Sequence, residues 1–240
     1  MRLPLSDRHS GMTGNSARKR ARALLFAFAA GCMIVGAPSA RATVIEFEAT
    51  GLSKGNPVDA TATITTGTNS LTVVLTNLEA DPTSIGQSIS GLLLDFSSTP
   101  TSAALSGTPS GELVDLVGGV AVPVSGPITR WSAALSGKEV NLTGLGGGQP
   151  TQLIVGPGPY PDGTGGFVPH QPHILETATF TLTVNGINST TNVTSAKIAF
   201  GTGPDKSIFG KAVRTPEPMS LALLGSAVVG LGLCRRKFRR

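Results

Sequence analysis

The chain has 240 residues, of which 14% are charged, and its formal charge of +5 comes from its two ends. Residues 1–42 hold seven basic residues against Asp7, residues 216–240 hold five against Glu217, and residues 43–215 keep seven basic and twelve acidic side chains, a net −5. An acidic body excludes nucleic-acid binding through a basic folded surface, and with both cysteines (Cys32 and Cys234) outside it, it can form neither an internal disulfide nor a thiolate zinc site.

Residues 18–22 are basic, residues 23–36 are an apolar run of 14, and Ala40, Arg41 and Ala42 follow as an A-x-A site. That order predicts a secretory signal peptide over residues 1–42, cleaved between Ala42 and Thr43, with cleavage after Ala40 as the alternative. The run is short of the roughly 20 residues that a spanning helix needs.

The body of 173 residues, 43–215, is long enough for one core and is read as a single domain. Residues 43–49, 58–65 and 70–76 alternate apolar with polar or threonine side chains and are separated by Gly and Asn, which predicts half-buried strands and tight turns. Residues 91–96, 112–117 and 120–124 are further short strands, the last an edge strand because Pro123 cannot donate to a ladder. Residues 144–172 are dominated by Gly and Pro and are expected to form an irregular surface excursion, in which only 152–155 could be a strand. Residues 177–184 alternate strictly; Asn185 and Gly186 then predict a type I′ hairpin into a strand over 187–194, and residues 196–200 close the domain. Residues 206–215 are read as a linker. No helical period of ten or more residues occurs in the body, so the fold class expected is all-β, an immunoglobulin-like sandwich whose core is mostly Val, Ile, Leu and Ala. A signal helix before it and a transmembrane helix after it are expected to flank it.

Catalytic and metal constellations are sparse. His170 and His173 are the body's only histidines and would need a carboxylate such as Glu176 or Asp162 to complete a metal site. They straddle Pro172 in a proline-rich loop and are read as solvated. Ser88 and Ser90 lie in no Gly-x-Ser-x-Gly elbow. Glu46 with Glu48, and Glu112 with Asp115, are carboxylate pairs; the first shares one strand face and is read as solvated. Asn141, Asn188 and Asn192 begin glycosylation triplets that a Thr-rich chain produces often by chance. No cofactor is predicted.

Residues 216–240 read Pro216, Glu217, Pro218, then 15 uncharged residues, then Cys234 and the basic residues Arg235, Arg236, Lys237, Arg239 and Arg240. Fifteen residues span about 22 Å as a helix, against about 30 Å of hydrocarbon, so the segment fits a bilayer only with thinning and snorkelling. The basic end is expected to stay in the cytoplasm. Breaker, apolar segment and basic terminus in this order resemble the PEP-CTERM sorting domain of exported bacterial proteins. The resemblance implies recognition by an exosortase-type membrane peptidase at Pro216, Glu217 and Pro218, transient or permanent attachment to the inner membrane, and a setting in bacteria that make extracellular polysaccharide. The body is loosely similar to cohesin-like sandwiches. The function expected is that of an exported, membrane-anchored and then surface-released β protein, non-enzymatic, with extracellular polysaccharide a possible partner. The alternatives are a secreted carbohydrate-active enzyme using Asp95 or Asp115, or a permanently anchored single-pass protein.

Overall fold

The computed structural model describes residues 42–161, 165–203 and 206–213. Strands β1 (Thr43–Ser53), β2 (Asn56–Gly67) and β3 (Ser70–Asn77) form an antiparallel meander. After them come β4 (Ile89–Phe96), β5 (Ser102–Leu105), β6 (Ser110–Val117), β7 (Val120–Pro123), β8 (Ser132–Ser136) and β9 (Glu139–Thr143). The chain then runs through β10 (Ile154–Val155), β11 (His173–Asn185), β12 (Val193–Phe200), β13 (Ser207–Phe209) and β14 (Lys211–Val213). Single 3-10 turns at Ile85–Gln87 and Val168–His170 complete the regular structure. The chain is all-β, with no α-helix among the described residues.

Two strands organise the pairing. β11 meets β3 and, in parallel, β10 along one edge, and β6 then β5 along the other. β4 lies between β12 on one side and β9 on the other, where its Ile89 also faces Ile154 of β10. β10 therefore bonds to both, and it joins the series β14-β1-β2-β3-β11 to the series β13-β12-β4. The same two series are joined again where β13 pairs β12 and β14, one residue later, pairs β1. Gly210 makes that step possible, because a Cβ there would lie 2.8 Å from the Cβ of Phe47.

Period-two patterning sets which side chains meet. Across β2, β3 and β11 the buried rows are Ala62–Leu75–Ala178, Ile64–Val73–Phe180 and Thr66–Leu71–Leu182. Leu92 and Leu94 of β4, Val140 and Leu142 of β9, and Ala196 and Ile198 of β12 join them in one apolar cluster. Each such buried aliphatic side chain contributes about 1.5–3 kcal/mol. Aliphatic residues dominate, as composition predicts, with Trp131 seated on Phe180 at 4.6 Å between centroids. Thr66 is tolerated inside because its hydroxyl donates to the Thr191 carbonyl at 3.2 Å.

Three expectations are corrected. Asn185 and Gly186 do not turn a hairpin: β11 and β12 belong to different series and do not pair. A type I′ turn needs positive φ at both central residues, and only Gly186 has it, at 92°. The strand begins at Val193 rather than 187, since buried Ile187 and the Asn188 side chain, which accepts from the Thr190 amide at 2.9 Å, hold the intervening residues in a turn. Residues 206–215 are not simply a linker, because β13 and β14 lie within them. Residues 144–172 are irregular but not a surface excursion. Leu153, Ile154, Val155, Tyr160 and Phe167 are buried, and Val155, Tyr160 and Phe167 pack on Val114 and Leu116 as a second, smaller cluster. β6 is thus covered on both faces, with Leu113 in the main core and Val114 in the second.

Two buried side-chain amides hold irregular backbone in place, since an unpaired buried peptide group costs about 1–3 kcal/mol. Gln152 accepts from the amides of Thr129 (2.8 Å) and Arg130 (2.9 Å) and donates to the Pro127 carbonyl (3.1 Å). Asn77 donates to the carbonyls of Gln87 (3.0 Å) and Ile154 (2.9 Å). Among the described residues no helix is long and apolar enough to cross a membrane. The expected signal helix and transmembrane helix lie outside the described residues.

Candidate functional site

The second cluster opens onto a hollow of about 340 Å³, lined by Gly119–Ala121 at the β6–β7 turn, by Gly158–Tyr160, and by Leu175 and Glu176 of β11. Alternation along β11 would place Glu176 inward, between Ile174 and Ala178, which are both fully buried. It does not go there. The register against β6 slips between Leu175 and Ala178, and Glu176 adopts φ 56° and is exposed. A β-bulge of this kind re-aims a side chain, and here it takes a carboxylate out of the core and sets it on the wall of an apolar hollow. A non-glycine residue in the left-handed region stores about 1–3 kcal/mol of strain.

Tyr160 forms another part of the wall. Its hydroxyl donates to the Gly156 carbonyl, and its ring meets Phe167 edge-on with centroids 5.6 Å apart. Burial, and secondarily the Glu176 charge, push the phenol up to about 12. The hydroxyl is therefore a fixed neutral donor, already spent on the backbone.

A second surface lies on the outward side of β2, β3 and β11. The register places Thr61 beside Thr76 and Thr177, Thr63 beside Val74 and Thr179, and Thr65 beside Thr72 and Thr181. Eight of these nine positions are threonine, and all nine are half-buried or exposed. Sheet geometry spaces them about 4.8 Å across strands and about 6.7 Å along them. The hydroxyls of Thr76 and Thr177 bond to each other at 3.2 Å. Glu48, Glu46 and Val44 of β1 extend the three rows, and the Thr63 hydroxyl donates to Glu46 at 3.5 Å.

The residues singled out from sequence fall as follows. His173 is not solvated: it is fully buried on β11, with Nε2 at 3.0 Å from the Phe167 carbonyl and Nδ1 without a partner. Burial drives its pKa down to about 4, against the opposing pull of that carbonyl and with help from His170. His170 is not solvated either, being half-buried with Nδ1 2.6 Å from the Pro150 carbonyl. Glu176 reaches the hollow instead of completing a histidine site, and Asp162 lies outside the described residues. Among the described residues no group of three His, Cys, Asp or Glu side chains could hold a metal ion. Glu112 lies opposite Leu175 and Asp115 opposite Val122, while Asp95 lies on β4 opposite Ser195. Ser88 and Ser90 are buried, their hydroxyls unpartnered. Asn141 lies within β9, the Asn188 amide oxygen accepts from Thr190 and Thr191, and Asn192 is exposed. Ala42 is exposed and Thr43 opens β1. Pro216, Glu217, Pro218 and the basic residues from Arg235 to Arg240 lie outside the described residues.

Compared with family models, curated proteins and solved structures, the chain matches none. The site must therefore be read from its own chemistry. Sequence reasoning missed Tyr160 and the threonine grid. The grid had a signal, threonine at all but one of the alternate positions of three predicted strands, but only the register shows that the three rows align.

Proposed function

We propose that the chain is an exported, non-enzymatic β-sandwich protein of the cell surface, whose body holds an uncharged extracellular polysaccharide on its threonine face. Two series of strands sharing one apolar cluster support an immunoglobulin-like or cohesin-like sandwich. The observation that carries the binding role is the grid itself: eight threonines in nine register positions, with no charge among them. Such a face offers repeated hydroxyl donors and acceptors beside methyl groups, which suits a neutral polyhydroxylated chain and gives a polyanion nothing to pair with. The hollow holds one carboxylate, Glu176, whereas hydrolysis of a glycosidic bond needs two across the substrate.

Residues 1–42 serve in this reading as the signal peptide. Residues 216–240 hold the body at the inner membrane until an exosortase-type peptidase acts near Pro216, Glu217 and Pro218. The test is sedimentation of the full-length chain with insoluble neutral and anionic polysaccharides. Binding to the neutral polymer is expected, and Thr63→Glu with Thr179→Glu should lower it at least tenfold, while Thr63→Val with Thr179→Val keeps the fold and weakens it less. Equal retention on anionic polymer, or full binding by the double glutamate variant, would sink the assignment.

A further inference from the structure

The hollow beside Glu176 has a composition of its own, independent of the threonine face. Its walls are apolar: Val120, Ala121, Pro159, the Tyr160 ring and Leu175. Val117, Val120 and Val122 are exposed along the adjoining hairpin, with Val117 and Val120 each 62% accessible. β7 pairs only with β6 among the described residues, so an edge is open beside these valines.

The chain segments that line the hollow carry charge of one sign. Residues 110–123, 156–161 and 165–176 contain Glu112, Asp115 and Glu176 and not a single lysine or arginine. Glu176 is the charged group on the hollow's own wall, and the chain holds it there at the cost of left-handed backbone. A solvent-face carboxylate needs no such conformation; alternation alone provides an outward position at Thr177. Strain kept at a bulge beside an apolar cavity is a feature of binding sites.

The geometry points to a lysine-binding site: the hollow takes the side chain of a lysine presented by a partner polypeptide, its methylenes against Val120, Pro159 and Leu175 and its ammonium on the Glu176 carboxylate. About 340 Å³ is at the small end of ligand sites and suits one long side chain rather than a sugar polymer. A lysine matches both halves of the wall, since it buries an apolar stem and keeps a charged head at the mouth.

The experiment titrates the methyl-labelled full-length chain, in uncharged detergent, with Nα-acetyl-lysine N-methylamide and with its norleucine analogue, which has the stem without the ammonium. Saturable shifts of the Val120, Ala121 and Leu175 methyls are expected with lysine, and affinity for norleucine should be at least tenfold lower. Glu176→Gln and Glu176→Gly should both reduce lysine affinity to the norleucine level. The glycine variant suits the left-handed backbone, and its dispersed methyl spectrum, matching the parent away from the hollow, separates loss of binding from loss of fold. Equal affinity for the two compounds, unchanged lysine binding by either variant, or no saturable shift with lysine would overturn the proposal.

Discussion

His173 donates from Nε2 to the Phe167 carbonyl at 3.0 Å, across a ring pair set edge to face at 6.0 Å, while its Nδ1 has no partner. That is the arrangement of a neutral imidazole, and protonation would put a charge where nothing answers it. The folded pKa is about 4 against an ordinary 6.5, so between those values the unfolded chain binds a proton that the folded chain refuses. Stability from this group is complete above pH 6.5, falls as pH drops through that window, and levels off below about 4, a loss of roughly 3 kcal/mol. Denaturant unfolding from pH 7.5 to 3.5 should show this loss. His173→Gln, which keeps a donor near Nε2 and does not titrate, should remove that component; an unchanged acid limb would contradict it. Glu79, raised by burial and by Asp59, contributes with the opposite sign, which the paired comparison cancels.

Gln152 predicts a second local effect. Its amide satisfies three backbone groups from residues 127–130, and its own carbonyl accepts from the Trp131 indole at 2.8 Å. Gln152→Ala would leave two amides and a carbonyl of this part-buried segment without their partner, and because water reaches the exposed residues Pro127, Thr129 and Arg130 the cost is about 1–2 kcal/mol. The chain has one tryptophan, and Trp131 is buried, so its emission reports directly on this clamp. The variant should melt at lower temperature, with the tryptophan shift coincident with loss of β structure.

These two residues show where the sequence was readable. The strands of β2, β3 and the far half of β11 announce themselves because buried and exposed positions alternate without interruption, and period two is a local signal. His173 and Gln152 carry no such signal. Gln152 answers backbone groups more than 20 residues earlier in the chain, and His173 answers the Phe167 carbonyl six residues earlier, in a segment that Gly- and Pro-rich composition disguised as a solvated loop. Glu176 is the instructive case, since its parity predicts an inward side chain and only the bulge reverses it. The Asn185–Gly186 pair misled for the converse reason: a strong local turn signal was overridden by Ile187, which has a core to fill on the other side of the turn.

Glu176 in the left-handed region makes a prediction about stability as well as binding. Glycine enters that conformation without the steric penalty of a Cβ, so Glu176→Gly should raise stability by about 1 kcal/mol despite the greater freedom of the unfolded chain. Glu176→Val should lower it by at least as much, because a β-branched residue is poorly accommodated there. Thermal melts of the two variants beside the parent would decide it; a destabilised glycine variant would mean that the carboxylate itself supports the fold.

The two processing expectations can be tested against the edge where β1 meets β14. Thr43 begins β1, pairs Thr66 and donates its hydroxyl to the Ser189 carbonyl at 2.8 Å, and three residues later Glu46 lies opposite Val213, the last residue of β14. Cleavage between Ala42 and Thr43 leaves β1 whole, and cleavage near Pro216, Glu217 and Pro218 leaves β14 whole. Intact-mass and terminal-peptide analysis of the exported protein should therefore find Thr43 first and a C-terminus beyond Val213 but short of Cys234. A mature protein still ending in residues 234–240 would count against processing. Trimming to Phe47 tests why the boundary matters: it removes Glu46 from the β14 pairing and Ile45 from its packing on the core, and should cost about 2–4 kcal/mol by analogy with deleting a large core side chain.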